Sequence, residues 1–185
     1  MSDGGSLKRQ IPLRVRVGPF SKSRSQRRTC KKNADLKITC RKASPGSAEQ
    51  RLFDIHKGRF LENVPNRLED FLGASPEEYP CEYRQFSVYH DSQLIAVSFM
   101  AMGNKSCSGI YAAFDPAFSH RRLGVYTMLA ELEFARKQEL DFYYLGYATI
   151  ESSCYDYKMQ FRSLEYYDWE GRWLAGRDLV RMGQE

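Results

Sequence analysis

The chain has 185 residues, 42 % of them hydrophobic and 14 % aromatic, which is enough for one packed domain or for one domain with an extension. Its net charge of +5 is unevenly spread: residues 1–42 hold thirteen Lys/Arg and two Asp/Glu, whereas the other 143 residues hold fifteen and twenty-one. No apolar run approaches eighteen residues, so the pattern predicts no membrane-spanning helix. For the basic amino end, a nucleic-acid partner and a solvated tail without a partner are equally open interpretations.

The amino-terminal part begins with a Gly/Ser-rich stretch, residues 1–11, which we expect to be disordered. Alternation of apolar and cationic residues in "IPLRVRV" predicts a short strand, and "LKITCRKA" at 36–43 predicts another. The stretch between them is predicted to be a helix, with a capping box at Ser23 and Gln26 and an end at Asn33. Residues 12–43 therefore form a basic strand-helix-strand segment.

The predicted helix of this segment carries a stripe of cations. They lie at spacings of three, four, seven and eight from the first, which puts them on one helix face. We call this set the basic stripe: Arg24, Arg27, Arg28, Lys31 and Lys32. The spacing predicts one polyanionic partner surface.

The remainder, residues 44–175, is predicted to be the main domain, followed by a frayed end at 176–185. A helix with Leu52 and Ile55 facing inward comes first, and a short helix stopped by Gly73 follows. Period-two patterns then predict three antiparallel strands, before an amphipathic helix of about four turns and a buried strand, "DFYYLGY".

A helix that returns to a strand beside its predecessor makes a parallel pair. The fold class is therefore predicted to be α+β, with a mostly antiparallel sheet flanked by helices. This is the arrangement of N-acetyltransferase-like (GNAT-like) folds.

The first candidate site is the junction "FDPAFSHRRLGVYTML". Helix amino ends bind anions through free N–H groups and the helix dipole. Arg121, Arg122 and the amides around Leu123 and Gly124 could therefore hold a phosphate or a developing oxyanion. A plain strand-to-helix loop fits the same residues equally well. Asp115 is an amine anchor or base on one interpretation and a turn residue before a proline on the other.

The second candidate site is "YYLGYATIESSCYDYK". A glycine inside a buried strand, Gly146, indicates a bulge or a close approach. Tyr147 and Tyr157 could line a cleft, although tyrosines more often belong to the core with the hydroxyl at its rim. Lys158 and Arg162 are four residues apart, so on a helix they would share a face suited to an acidic group, whereas a surface pair would have no such role.

Other catalytic and metal-binding patterns are missing from the sequence. The five cysteines lie at least ten residues apart and the three histidines form no ligand motif, so we expect no metal site and a reducing, cytoplasmic location. No residue pattern suggests a covalent nucleophile, which favours direct transfer over a covalent intermediate.

Several ordered motifs together resemble a known family, the arginyl-tRNA–protein transferases and the bacterial aspartate/glutamate leucyltransferases. The family patterns are "G-x-LIAV", "S-x-x-Y-x-x-(Y/F)-DP", "LG-x-Y", "YYLGY" and "YK-x-x-(F/Y)-x-P-x-E", and the upstream "PLRV-x-V-x-x-F-x-x-SRSQRR". They are matched here at 93–97, 108–116, 123–126, 143–147 and 157–165, and upstream from 12 onward. The resemblance covers about residues 12–170.

The resemblance implies a GNAT-like enzyme that moves Leu or Arg from tRNA to the α-amine of an acceptor, typically a protein that begins with Asp or Glu and is thereby marked for degradation through the N-degron pathway. Aminoacyl-tRNA would be the co-substrate, with no further cofactor. The basic stripe would bind the tRNA backbone. The acceptor end of the tRNA would be bound by Arg121, Arg122, Leu123 and Gly124. Tyr147 and Tyr157 would shape the pocket or relay a proton, and Lys158 and Arg162 would pair with an acidic acceptor.

This sequence departs from the family in two places. Relatives carry an amino-terminal cysteine-cluster domain that ends just before "PLRV", and here we expect it to be absent. Ser152–Asp156 replace a Gly-Ser-x-x-Met pattern, and Ser163 replaces a proline. A peptide or small-molecule acceptor is therefore an alternative. Two other classes also stay open: an acetyl-CoA-dependent N-acetyltransferase, which the single glycine of "RRLGVY" disfavours, and a non-catalytic tRNA-binding module.

Overall fold

The computed structural model describes residues 10–60, 64–73, 81–149 and 156–182. The expected disorder of residues 1–9 lies outside this range, and the expectation is wrong for Gln10 and Ile11, which belong to the first strand. The strands are β1 Gln10–Arg16, β2 Lys37–Lys42, β3 Tyr83–His90, β4 Gln93–Met102, β5 Ser106–Phe114, β6 Phe142–Thr149, β7 Leu164–Tyr167 and β8 Trp173–Ala175. The helices are α1 Arg24–Lys32, α2 Ser47–Lys57, α3 Glu69–Leu72, α4 Leu123–Lys137 and α5 Gly176–Met182, with 3-10 helices at Pro116–Arg121 and Asp156–Gln160.

The strands form one eight-stranded sheet in the order β2-β3-β4-β5-β6-β1-β7-β8. Every described pairing is antiparallel except that of β5 with β6, the two strands that α4 connects. The predicted three-stranded meander is β3-β4-β5. The predicted fold class, a mostly antiparallel sheet with one parallel junction, is thus confirmed.

The basic strand-helix-strand segment contributes two strands to distant parts of this sheet. β1 lies between β6 and β7, and its inward residues Ile11, Leu13 and Val15 are buried. β2 lies at the opposite edge beside β3 and is largely exposed. An apolar row can occupy a central position, whereas a cationic strand is better tolerated at an edge, where it blocks edge-to-edge pairing.

The helices cover both faces of the sheet. The steps of three in α4 predict that Tyr126, Leu129, Leu132 and Ala135 face inward, and the last three are buried whereas Tyr126 is only partly buried. On α2 the expectation was half wrong: Leu52 is buried, but Ile55 is 52 % exposed. The buried positions of α2 are instead Glu49, Leu52, Phe53 and His56, which follow the i, i+3, i+4, i+7 pattern of a single helix face.

The helix termini follow the predicted chemistry at α1 and differ at the end of the chain. The Ser23 hydroxyl accepts from the Gln26 N–H, and the Gln26 side chain accepts from the Ser23 N–H, which is the predicted capping box. α1 closes at Asn33, also as predicted. Residues 176–182 form helix α5, however, where we had expected a frayed end, and residues 183–185 lie outside the described part of the chain.

Candidate active site and basic surface

A gap between β5 and β6 is the central feature of the candidate site. The two parallel strands pair only at their first residues, Ser106–Phe142, Cys107–Tyr143 and Ser108–Tyr144. Beyond this point they separate, and residues 108–112 of β5 are all partly exposed although the strand is central. We call the space between 109–114 and 145–149 the β5–β6 gap. It opens toward the carboxyl ends of both strands.

Two bulges lie at the start of the gap. On β5 the register with β4 shifts between Phe99 and Met100, so Ile110 has no partner on β4. On β6 the register with β1 shifts between Leu13 and Arg14, so Leu145 has no partner on β1. The next residue of β6, Gly146, has a φ of +81°. The predicted bulge at Gly146 is confirmed. Because a bulge bends its strand and increases its twist, the two bulges explain why β5 and β6 diverge here.

The chain beyond β5 turns into the start of α4. Asp115 caps the 3-10 helix, since its Oδ1 accepts from the Ala117 N–H at 2.9 Å, as the turn interpretation predicted. Arg122, the N-cap residue that precedes α4, has a φ of +57°. Leu123 is fully buried, main chain included, whereas Gly124 is partly exposed, and a Cβ added there would be in ordinary contact with Phe114 at 3.7 Å.

The two basic motifs of the sequence meet at this turn, because α1 packs against the beginning of α4. Arg121 donates both terminal nitrogens to Asp35, at 2.9 and 3.0 Å. Arg122 Nη1 donates to Ser25 Oγ at 2.8 Å, and Lys32 Nζ donates to the His120 carbonyl at 2.7 Å. Motifs almost 90 residues apart in sequence therefore form one surface. We call the basic stripe together with Arg121 and Arg122 the basic surface.

The cations of this surface are not equally available. All five cations of the basic stripe are exposed. Arg27 donates to the Lys22 carbonyl, whereas Arg24, Arg28 and Lys31 have no hydrogen bond or ion pair with the described part of the chain. The Arg121 side chain is only 16 % exposed and already engaged. The cations open to a polyanion are thus mainly those of α1.

The other wall of the gap carries the predicted tyrosines and Lys158. Tyr147 is 50 % exposed on β6. Lys158 Nζ donates to the Tyr147 carbonyl at 3.3 Å and lies over Gly146, where an added Cβ would be 3.4 Å away. Tyr157 packs partly against the core.

Arg162 and Lys158 do not share a helix face. The 3-10 helix that holds Lys158 ends at Gln160, and Arg162 is exposed beyond it, with Nη1 3.4 Å from Ser21 Oγ. The divergent residues 152–155 lie outside the described part of the chain.

The sequence interpretation missed a buried polar pair beneath the gap. Glu131 of α4 is 2 % exposed, Tyr143 of β6 is 1 % exposed, and the Tyr143 hydroxyl donates to Glu131 Oε2. Burial raises the pKa of Glu131 to about 7, and the Ser98 and Tyr143 hydroxyls partly oppose this shift. The available signal was a carboxylate on the apolar face of the predicted helix.

The described residues contain neither a metal-binding cluster nor a helix that could span a membrane. No group of three or more His, Cys, Asp and Glu in the described ranges is arranged to hold a metal ion. None of the described helices is long and apolar enough to cross a membrane.

Comparison with known proteins gives one family match. The sequence model of the family described as "Arginine-tRNA-protein transferase, C terminus" matches residues 49–168. An aspartate/glutamate leucyltransferase from Hahella chejuensis is 33 % identical over 165 residues, a match that covers 84 % of this chain and 67 % of that protein. The chain thus spans about two thirds of the length of this relative.

Comparison with solved structures identifies the fold. L-PGS from Bacillus licheniformis superposes with a TM-score of 0.55 at 12 % identity, over 96 % of this chain and 65 % of the other. A GCN5-related glucosamine N-acetyltransferase region of a fungal β-N-acetylglucosaminidase gives a TM-score of 0.55 at 9 % identity, over 85 % and 20 %. At these identities the likeness concerns the fold alone, which is GNAT-like.

Proposed function

The chain belongs to the family of arginine-tRNA-protein transferase carboxy-terminal domains, and on that premise we propose that it transfers an amino acid, Leu or Arg, from tRNA to the α-amine of an acceptor. The proposed acceptor is a protein or peptide with an acidic amino terminus. Aminoacyl-tRNA is the co-substrate, and the reaction needs no further cofactor.

The observation that carries this proposal is the position of the basic surface at the open end of the β5–β6 gap. β5 runs into the 3-10 helix at Pro116–Arg121 and then into α4, where α1 docks. A tRNA backbone bound along the exposed cations of α1 would bring its acceptor end to the gap. Electrostatic attraction to such a surface does not depend on sequence, as recognition of a tRNA backbone requires.

The reaction depends mainly on holding the ester and the amine in the right relative position. The acceptor nitrogen forms a bond to the ester carbonyl carbon, the bond from that carbon to the ribose oxygen of the tRNA breaks, and one proton passes from the amine to that oxygen. An aminoacyl ester is already activated, and an α-amine with a pKa of about 7.7 to 8.0 is partly deprotonated at neutral pH. Holding ester and amine in contact can therefore supply much of the acceleration.

Each wall of the gap has a proposed task. At the start of α4, the amide of the partly exposed Gly124 faces the acceptor-end phosphate or the tetrahedral oxyanion, and the buried Leu123 anchors this turn in the core. Tyr147 and Tyr157 shape the pocket or relay the proton. Lys158 attracts an acidic acceptor side chain, with Arg162 as a second, more distant cation. Asp115 orients the acceptor amine by holding the turn at the end of β5.

A transfer assay tests the proposal. The chain is incubated with tRNA charged with labelled Leu or Arg, and separately with labelled acetyl-CoA, over otherwise identical peptides that begin with Asp, Glu, Arg and Ala. We expect label from charged tRNA on the Asp and Glu peptides only.

The other outcomes distinguish the remaining classes. Label from acetyl-CoA would identify an N-acetyltransferase, and tRNA binding without transfer would identify a binding module. Label from tRNA on all four peptides would retain aminoacyl transfer and reject the acidic acceptor.

A further inference from the structure

The buried pair of Glu131 and Tyr143 has no part in the chemistry proposed above. Both side chains are almost completely excluded from solvent, and the Tyr143 hydroxyl donates to Glu131 Oε2. The groups that face Glu131 from neighbouring strands are the hydroxyl of Ser98 on β4, which stabilises its charged form, and the thiol of Cys107 on β5, whose pKa burial and Glu131 raise to about 12. Such a pair is costly to bury, and apolar residues of similar volume are often as stabilising.

The polar ends of the two side chains lie against Gly109 of β5. A Cβ added to Gly109 would lie 2.7 Å from the Tyr143 hydroxyl oxygen and 3.4 Å from Glu131 Oε2. At such a distance a Cβ cannot fit unless Tyr143 moves. Only glycine therefore allows the backbone of β5 and the Tyr143 hydroxyl to approach this closely.

Gly109 occupies a particular place in the sheet. Ser108, immediately before it, is the last residue of β5 that pairs with β6. Gly109 itself pairs with Met100, and Ile110, immediately after it, is the bulged residue. The Tyr143 hydroxyl thus lies against β5 where the strand bulges and leaves β6. The partly exposed residues 110–112, which line the β5–β6 gap, follow directly.

The geometry points to Glu131 and Tyr143 as positioning residues for aminoacyl transfer: the Tyr143 hydroxyl, held by Glu131, contacts Gly109 and fixes the β5 bulge that sets the width of the gap. The inference rests on the proposed function. Neither residue touches the substrates, because both are buried. They act through the backbone of residues 109–111, which forms one wall of the gap where ester and amine must meet.

The test is a kinetic comparison of folded variants, each checked by thermal melting. Tyr143→Phe removes only the hydroxyl. We expect kcat for transfer to fall about ten- to hundredfold, because small displacements in a site that acts by positioning are costly. KM for aminoacyl-tRNA should stay within about twofold, since the basic surface is untouched. Glu131→Gln keeps an acceptor for the hydroxyl but makes the bond weaker, so kcat should fall less.

Two further comparisons distinguish a positioning role from a general loss of structure: a control at Tyr144, and a single and a double variant at Gly109. Tyr144→Phe changes the next tyrosine of β6, whose ring packs on Trp173 instead, and should keep the wild-type kcat. Gly109→Ala should lose activity because the methyl group meets the Tyr143 hydroxyl. The double variant Gly109→Ala/Tyr143→Phe should be more active than Gly109→Ala alone, since phenylalanine leaves room for the methyl group.

Each contrary result has a separate meaning. Wild-type kcat in both Tyr143→Phe and Glu131→Gln would overturn the inference and leave the proposed function intact. A double variant no more active than Gly109→Ala would also overturn it. Failure of the wild-type chain to transfer from any charged tRNA would overturn the proposed function and this inference together.

Discussion

Both terminal guanidinium nitrogens of Arg121 donate to the Asp35 carboxylate, and this ion pair connects the turn after α1 to the turn before α4. The same guanidinium reaches the Lys32 carbonyl at 3.3 Å. The hydrogen bond from Arg121 lowers the pKa of the Asp35 carboxyl. Arg121 is thus mainly occupied in holding α1, while the cations on the outer face of α1 remain exposed.

We expect the loss of this ion pair to loosen α1. Arg121→Ala and Asp35→Asn should each raise the amide hydrogen-exchange rates of residues 27–32, because the docking of α1 on α4 depends partly on this contact. Exchange in α2, which packs on another part of the sheet, should be unchanged and serves as the internal control. Unaltered exchange in α1 would mean that the remaining contacts of α1 suffice.

Charge reversal tests the basic stripe. Replacing Arg24, Arg28 and Lys31 by Glu should weaken tRNA binding broadly and reduce the log–log salt slope by about 2 to 3, as expected when roughly three phosphate contacts are lost. These three are chosen because they have no polar partner within the described chain, so their removal breaks no internal contact.

A charge-matched control replaces Arg51, Lys105 and Lys137 by Glu, three exposed cations outside the basic surface. Its tRNA affinity should fall only slightly, and its salt slope should change by less than that of the basic-stripe variant. Equal losses in both proteins would point to net charge alone as the cause.

Lys158 tests the acceptor side of the gap. Lys158→Ala should reduce transfer to Asp and Glu peptides by about five- to fiftyfold and leave tRNA affinity unchanged, because a charge-assisted contact contributes to acceptor binding only. Arg162→Ala, which removes a cation that reaches toward Ser21 instead, should have the smaller effect. An equal loss of tRNA binding and transfer in Lys158→Ala would argue against an acceptor role.

The raised pKa of Glu131 predicts a pH-dependent stability with a definite sign. The folded-state pKa is about 7, above the ordinary glutamate value of 4.5 that applies in the unfolded chain, so the folded chain binds more protons than the unfolded chain between these values. The free energy of unfolding should therefore fall as the pH rises from about 4.5 to about 7, by an amount on the order of 3 kcal/mol for this group alone.

Urea unfolding at pH 5 and pH 8 measures this effect. Glu131→Gln cannot ionise, so its stability relative to the wild type should increase between the two pH values. Parallel pH dependences of the two proteins would show that Glu131 ionises in the folded chain as it does in the unfolded one.

Local patterns predicted most of the elements. Alternation located β1 and the meander of β3, β4 and β5, and the capping box of Ser23 and Gln26 placed the start of α1. Gly146 indicated the bulge of β6. Each of these signals depends on neighbours within a few residues, where backbone geometry and side-chain spacing dictate the outcome.

Other features could not be derived from local patterns. The expectation for Ile55 was wrong because the sheet, not the helix period, selects which face of α2 is buried. Glu131 lies on a helix face that the period alone would assign to apolar residues, and its partner Tyr143 belongs to another element. Lys158 and Arg162 failed to share a helix because the 3-10 helix ends between them.

The sequence by itself determined the element types, the mostly antiparallel sheet with one parallel junction, and the stripe of cations on α1, because these follow from the periodicity and charge of contiguous residues. Only the tertiary structure decided that β1 lies between β6 and β7, that Arg121 serves Asp35, and that the Tyr143 hydroxyl meets Gly109. These relationships join residues 34 to more than 130 positions apart. They are selected by the complementarity of whole faces, which no single stretch of sequence contains.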